Sequence, residues 1–476
     1  MALQRSSKSV SRLFPSRRMS RSQVAAWVVL FICMAILLAA LTFPLWLPRA
    51  VRSVIPDRYI VAYAPEPVAE FIFSRSVEIV PTAMPGTAQE SLLLESLAST
   101  VSPVGSATPL PTIQSAGPST QAVPGVNLPT ATPTSAFAPE GGSMVTPSVS
   151  DLPSSALLQG MTLVGQGFNM CGEATLTIYL SYWGVPIDNR TQLEVSRAIK
   201  PHPDDSNTSP HELAGYAESL GFETVVRANG DIDLLRRFIA AGYPVMIERG
   251  FDELPEEGWM GHYMLIVGYS DPDRQFAALD SYWGLKRAHP DPNNPVDYWD
   301  YDTLNRLWRH FNWTYLIVYP PANTVEVQAI IGDDMNDSVM YSRAAQRLTG
   351  ELAQDPNDAF GWFSLGTNLV SLGDFMRAAE AYDQARRIGL PFRMLWYQFG
   401  PYEAYYQIGR YQDVLDLANF ILDVQNYPES EEAFYYRGLV YEQRGQMDAA
   451  RNQFRRALEY NPNFEPAQRE LDRLGG

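Results

Sequence analysis

The chain has 476 residues and a formal charge of −17, with 53 Asp and Glu against 36 Lys and Arg, a balance that argues against a nucleic-acid-binding surface. Its length allows two or three domains. Only two cysteines occur, Cys33 and Cys171, and Cys33 falls within an apolar segment, so no internal disulfide framework is available and the cores must hold the fold.

The charge is unevenly placed. Residues 1–58 carry nine Arg and Lys against a single acid, Asp57, so the rest of the chain holds all of the negative excess. Arg5, Lys8, Arg12, Arg17, Arg18 and Arg21 form a basic tail over residues 1–23. An uncharged run then extends from Val24 to Leu41 and continues with interruptions to Leu47. About 20 apolar residues span a bilayer as a helix, and a signal-peptide core is shorter. The pattern predicts a transmembrane helix over 24–47 with a cytoplasmic N-terminus and the domains outside the cell membrane. A cleaved signal peptide with a long core is the alternative. Either places Cys171 outside the cytoplasm.

Residues 48–155 read as a juxtamembrane segment and a Pro/Ser/Thr-rich linker. From about Val80 the composition turns to Pro, Ser, Thr, Ala and Gly, which cannot bury enough apolar surface to offset ordering entropy. Such a stretch is expected to be disordered and to act as a stalk.

Residues 156–323 predict one α+β domain. A helix runs from about Cys171 to Trp183 and stops at Gly184; a second starts at Thr208-Ser209-Pro210 and ends near Gly221; a third covers Ile232 to Ala241. The period then changes. Pro244–Glu248, Tyr263–Val267, Phe276–Leu279 and Tyr315–Tyr319 read as short strands, and helices followed by strands is an α+β order.

Cys171 stands at the start of the first helix, where the macrodipole and unpaired backbone N–H groups favour a thiolate. A cysteine nucleophile needs a base, and the base an orienting partner. Of the five histidines, His202, His211, His262, His289 and His310, only His262 opens a strand. Asp280 ends the next one. If the two strands form a hairpin, Asp280 lies beside His262 and holds its tautomer. Gln166, five residues before Cys171, can aim an amide at an oxyanion, with the Cys171 N–H as second donor.

These residues resemble the papain-like cysteine peptidases of the bacteriocin-processing family and their stand-alone exported relatives. The matching pattern is Gln166-x4-Cys171-Gly172-x-Ala174, Tyr182-Trp-Gly184, Gly242-Tyr-Pro244-Val, Gly261-His262-Tyr-x-x-x-Val267-Gly268-Tyr269 and Asp280, over about a third of the chain. The resemblance implies Cys171 as nucleophile, His262 as base, Asp280 as orienter and Gln166 as oxyanion donor. It implies a peptide or protein substrate and no cofactor. The chain lacks the G-x-x-x-x-G-K-[ST] motif of the family's transporter members, so cleavage of double-glycine leaders is not carried over. A domain that keeps the fold without turnover, serving as a cell-surface binding scaffold, is the alternative. His211, His289 and His310 read as surface or structural residues. The acidic stretch 289–302 departs from a calcium-loop spacing and reads as a solvated loop, so no metal is expected.

Residues 335–476 repeat. Trp362, Leu365, Gly366, Leu369, Gly373, Ala378, Tyr382 and Ala385 recur in character at Gly438, Tyr441, Gly445, Ala450, Phe454, Ala457 and Pro462, 72 residues on, with a weaker copy at Tyr405, Gly409 and Ala418. Two steps of 36 resemble a tetratricopeptide-repeat array, which implies a protein partner. Further helices are expected at Ser338–Gln354 and Glu465–Leu474.

Overall fold

The computed structural model describes residues 79–82, 93–94, 96–97, 152–188, 190–200, 205, 207–252, 258–282, 295–424 and 430–475. The basic tail and the apolar run expected to span a membrane lie outside these residues. Among the described residues no helix is long and apolar enough to cross a membrane.

A short strand β1 (Ser155–Leu157) leads to α1 (Cys171–Tyr182), whose residues from Gly172 to Leu180 are all buried. A helix buried on every side must satisfy its own polar groups. Thr177 does so by donating to the Glu173 carbonyl at 2.7 Å. Next comes α2 (Thr191–Ile199), then α3 (Pro210–Ser219), which starts with Ser209 and Glu212 in a reciprocal capping box and Pro210 in the first turn. After β2 (Glu223–Arg227), α4 (Ile232–Ala240) is capped by Asp231, which accepts from Leu234 N at 2.6 Å. Its Leu234, Leu235, Phe238 and Ile239 form the buried stripe, each contributing about 1.5–3 kcal/mol by leaving water. Replacing Asp231 by Ala costs about 1 kcal/mol through the lost cap.

The chain then becomes sheet: β3 (Val245–Phe251), β4 (Met260–Ser270), β5 (Gln275–Leu279), β6 (Asp297–Asp300), helix α5 (Tyr301–Trp308) and β7 (Tyr315–Tyr319). The strand order is β2-β7-β3-β4-β5-β6, antiparallel throughout, and β1 pairs with β4 beyond the reach of β3. β4 is central and long, and α1 packs against it. Three local expectations change. β3 does not stop at Glu248, because Arg249 and Gly250 continue the ladder opposite His262 and Gly261. The end of the stretch read as a solvated loop is edge strand β6, and its last residue, Asp300, caps α5 by accepting from Thr303 N at 2.8 Å. Helix α2 was not foreseen, since Thr191–Ile199 buries only Val195, Ser196 and Ile199 and shows little period.

From α6 (Thr324–Ile331) onward the chain is helical: α7 (Asp337–Leu352), α8 (Ala359–Ser371), α9 (Phe375–Ile388), the one-turn α10 (Met394–Tyr397), α11 (Gly400–Gln407), α12 (Tyr411–Asn419), α13 (Glu431–Gln443), α14 (Met447–Tyr460) and α15 (Glu465–Arg473). The small positions have a steric cause. A Cβ on Gly366 would lie 2.7 Å from the Tyr382 ring, and one on Gly438 would lie 2.6 Å from the Phe454 ring. Glycine therefore lets α8 approach α9 and α13 approach α14. The turns after α8 and α13 use Gly373 and Gly445 at φ 77° and 72°, a left-handed geometry suited to glycine.

Helical and sheet regions share one continuous core. At their seam Asn312 and Asn368 exchange amide hydrogen bonds of 2.8 and 2.9 Å while fully buried. Arg309 pairs with Asp358 at 2.6 Å and Glu351 at 3.0 Å, and His310 stacks on Phe360 at 3.6 Å. One part of the expected linker also joins this body. Val80 donates to the Leu390 carbonyl at 2.9 Å, and Arg386 Nε donates to the Pro81 carbonyl at 2.8 Å. Val80, Leu93 and Leu97 are buried in the common core.

Candidate active site

Cys171 is the first residue of α1, preceded by Asn169 in left-handed backbone (φ 53°) and Met170 at the cap. Its side chain is half-buried. Gly172 follows because a Cβ there would press on Leu213 and the Tyr263 ring at 3.2 Å. Glycine thus lets the start of α1 sit tightly against α3 and β4.

His262 is the third residue of β4, and Asp280 follows the last residue of β5. The hairpin pairs Leu265 with Leu279, which brings the two polar side chains together at its end. His262 Nε2 lies 2.7 Å from Asp280 Oδ1, both groups being buried. The Cys171 side chain acts on the same imidazole and helps to raise its pKa. The structure thus brings Cys171, His262 and Asp280 together. Burial works against a charged imidazole, but the Asp280 carboxylate, its hydrogen bond and the Cys171 sulfur outweigh it and push His262 up to about 9. Burial likewise opposes the charged carboxylate of Asp280. His262, Arg249 and the Tyr282 N–H at 2.8 Å overcome it and hold Asp280 below the usual range.

Arg249 was missed in the sequence because its strand was ended one residue early. It stands opposite His262 in the ladder, with Nη2 3.6 Å from Asp280 Oδ2 and the guanidinium 4.3 Å over the Trp299 ring. It supplies a second positive charge to the carboxylate that orients the histidine. Glu248, next along the strand, is buried as well. Burial first, and the nearby Cys171 second, push its carboxyl well above the usual range.

Gln166 is fixed from two directions. Its backbone N–H donates to the Ser281 carbonyl at 2.7 Å, and Ser281 Oγ donates to Gln166 Oε1 at 3.1 Å. With its oxygen so engaged, the amide presents N–H groups on its other side. Ser281 Oγ also lies 3.4 Å from Thr175 Oγ1 on α1. Gln192 on α2 clamps the same loop, donating to the Gly165 carbonyl at 2.7 Å and accepting from Gly167 N at 3.0 Å. Lys200, just past α2, donates to the Asn169 carbonyl and pairs with the buried Glu173 at 3.1 Å. Burial opposes its charge, but Glu173 and Asp205 outweigh it and raise its pKa, so a cation is held under the loop leading to Cys171. The adjacency of Ser281 to Asp280 was the one available sequence signal for these supports.

Among the other histidines, His211 is exposed on α3. His310 is buried and accepts from Trp259 Nε1 at 3.1 Å. Burial, then Arg306 and Arg309, push it down to about 3, so it stays neutral in the seam. His202 and His289 lie outside the described residues. Among the described residues no group of three His, Cys, Asp or Glu side chains could hold a metal ion.

Residues 155–304 match the model of the Peptidase_C39 like family, and residues 431–464 match the tetratricopeptide repeat. Among solved structures, a protein described as a C39-like peptidase from Bacillus anthracis is similar at 14% identity and a TM-score of 0.27, over 34% of this chain and 96% of that one. Xylellain, a cysteine protease from Xylella fastidiosa, is similar at 14% identity and a TM-score of 0.24, over 36% of this chain and 88% of that one. No curated protein matches.

Proposed function

Because the chain joins a C39-like peptidase domain to a tetratricopeptide repeat, we propose that it is a cysteine peptidase whose hydrolytic site is Cys171, His262, Asp280 and Gln166. The observation that carries this reading is the buried His262 imidazole, hydrogen-bonded to Asp280 and acted on by Cys171. His262 takes the Cys171 proton, which gives thiolate and imidazolium. The sulfur attacks the peptide carbonyl carbon, and the oxyanion takes hydrogen bonds from the Gln166 amide and the Cys171 N–H. His262 gives its proton to the leaving nitrogen, which breaks the C–N bond and leaves a thioester. Water then attacks that carbonyl while His262 accepts its proton. Collapse releases the acid and the thiolate, and His262 keeps the proton that restores the ion pair. Arg249 holds Asp280 ionised throughout.

The repeat region binds a protein partner in this reading. The basic tail and apolar run support a single-pass anchor that keeps the N-terminus in the cytoplasm and the domains outside. The test is a peptide-library digest with the purified region beyond the apolar run, beside its Cys171→Ala variant. Hydrolysis by the parent and none by the variant, at equal thermal stability, is expected. Equal hydrolysis by both removes Cys171 as nucleophile. A parent that cleaves nothing and resists thiol alkylation points to a binding scaffold instead.

A further inference from the structure

Helix α10 lies in the helical region, yet it packs on β4 beside the candidate active site. Its last residue, Tyr397, covers Gly261, the residue before His262. A Cβ on Gly261 would lie 2.7 Å from Phe311 Cζ and 3.2 Å from Tyr397 Cε2 and Cζ, so the glycine makes room for both rings. Trp259 meets the ring edge-on at 6.1 Å and Phe311 at 5.8 Å, both from the sheet domain. Arg393 and Gln398 hold the segment from either end, donating to the Trp259 carbonyl at 3.3 Å and the His310 carbonyl at 3.2 Å. Tyr397 is half-buried. Burial raises its pKa first, Arg393 opposes, and the Cys171 sulfur adds to the rise, which agrees with a ring close to that sulfur. The seam of Asn312 with Asn368 and of Arg309 with Asp358 leaves this arrangement little freedom.

We propose that the repeat region supplies a wall of the substrate cleft, with Tyr397 as a specificity-determining residue that limits the bulk accepted beside Cys171 and His262. The inference rests on the hydrolase reading but concerns a different part of the chain. A ring set against Gly261, Trp259 and Phe311 cannot swing aside without losing those contacts. Repeat helices and catalytic sheet then form one cleft, and a ligand must fit both.

The test compares alkylation of Cys171 by iodoacetamide and by a bulky naphthyl-substituted iodoacetamide in the full chain and its Tyr397→Ala, Tyr397→Leu and Tyr397→Phe variants. Tyr397→Ala should raise the bulky-to-small rate ratio on the order of tenfold, the scale of discrimination a few methylenes provide. Tyr397→Leu should raise it less, and Tyr397→Phe, which keeps the ring, should leave it near the parental ratio. With hydrolysis measurable, Tyr397→Ala should change KM for bulky peptides more than kcat. If iodoacetamide labels Cys171 and the ratio is the same in the parent, Tyr397→Ala and Tyr397→Leu, the wall is overturned and the hydrolase reading stands. If Cys171 resists both reagents in the parent but reacts with iodoacetamide in Tyr397→Ala, the wall is supported. If it resists both in every variant, the wall and the activated thiol fall together.

Discussion

Replacing Asp280 by Asn removes one charge from a buried row of three groups. In the parent, Asp280 is the largest influence that raises His262 from its ordinary 6.5 to about 9, with Cys171 adding to it, a difference of about 3 kcal/mol. Once the carboxylate is gone, burial is opposed mainly by Cys171, so the imidazole should titrate well below 9. A histidine raised on folding stabilises the fold fully below its unfolded value and loses that contribution as pH climbs through the folded value. A depressed carboxylate loses its contribution as pH falls through its own folded value. The stability gap between parent and Asp280→Asn should therefore be widest from about pH 4 to 6.5 and shrink toward pH 9. Arg249, 3.6 Å from that oxygen and wholly buried, loses the carboxylate's charge. Removing one member of a buried pair typically costs about 3–5 kcal/mol, and this overlaps the histidine contribution instead of adding to it. Two measurements check the argument: NMR titration of the His262 ring and urea unfolding at several pH values. The basic limb of kcat/KM should fall from about 9 together with the ring. A His262 that still titrates near 9 in Asp280→Asn would refute the reasoning, because the carboxylate would then not be the main group that holds it there.

Three further outcomes are expected. Gln166→Ala should lower kcat about 10²–10³-fold, as loss of an oxyanion donor does, and Ser281→Ala should lower it less, since the backbone bond to Gln166 survives; single-turnover acylation rates read both. Asn368→Ala should cost about 1–3 kcal/mol of unfolding free energy, because the buried Asn312 amide loses the partner with which it exchanges two bonds; urea unfolding of parent and variant checks it. Lys200→Met should destabilise by about 3–5 kcal/mol by stranding the buried Glu173, and Lys200→Met with Glu173→Gln should recover much of that, which a thermal-unfolding double-mutant cycle measures.

The parts of this molecule legible in the sequence are those that repeat or punctuate. Thr208-Ser209-Pro210 announced α3, and the 72-residue spacing of Gly366 with Gly438 announced a helix pair whose contact glycine permits. His262 and Asp280 could be paired because one short hairpin joins them. Arg249 could not, because a charged residue in a strand reads as its end until the opposing strand is known to carry a histidine and an aspartate partner. Lys200 and Gln192 escaped for a similar reason. Their roles are contacts with the backbone of a distant loop, and such contacts leave no periodic trace. The contact of Tyr397 with Gly261 was invisible, since nothing in a helical repeat says which of its rings will meet a strand residue 136 positions earlier.

The clip at Val80 changes how force would travel through the chain. The Pro/Ser/Thr-rich stretch between Leu97 and Leu152 begins at a segment buried in the common core and ends at Pro153 and Ser154, which bond to Tyr269 and Asp271. Both of its ends are therefore held by the same body. A pull from the N-terminal side would meet the Val80–Leu390 and Arg386–Pro81 bonds first and would load the corner between α9 and α10. The sheet that carries the candidate site would feel tension only after those bonds peeled away. A cut between Leu97 and Leu152 would leave the two pieces associated through buried contacts, so Cys171, His262 and Asp280 would keep their surroundings when the N-terminal segment is pulled.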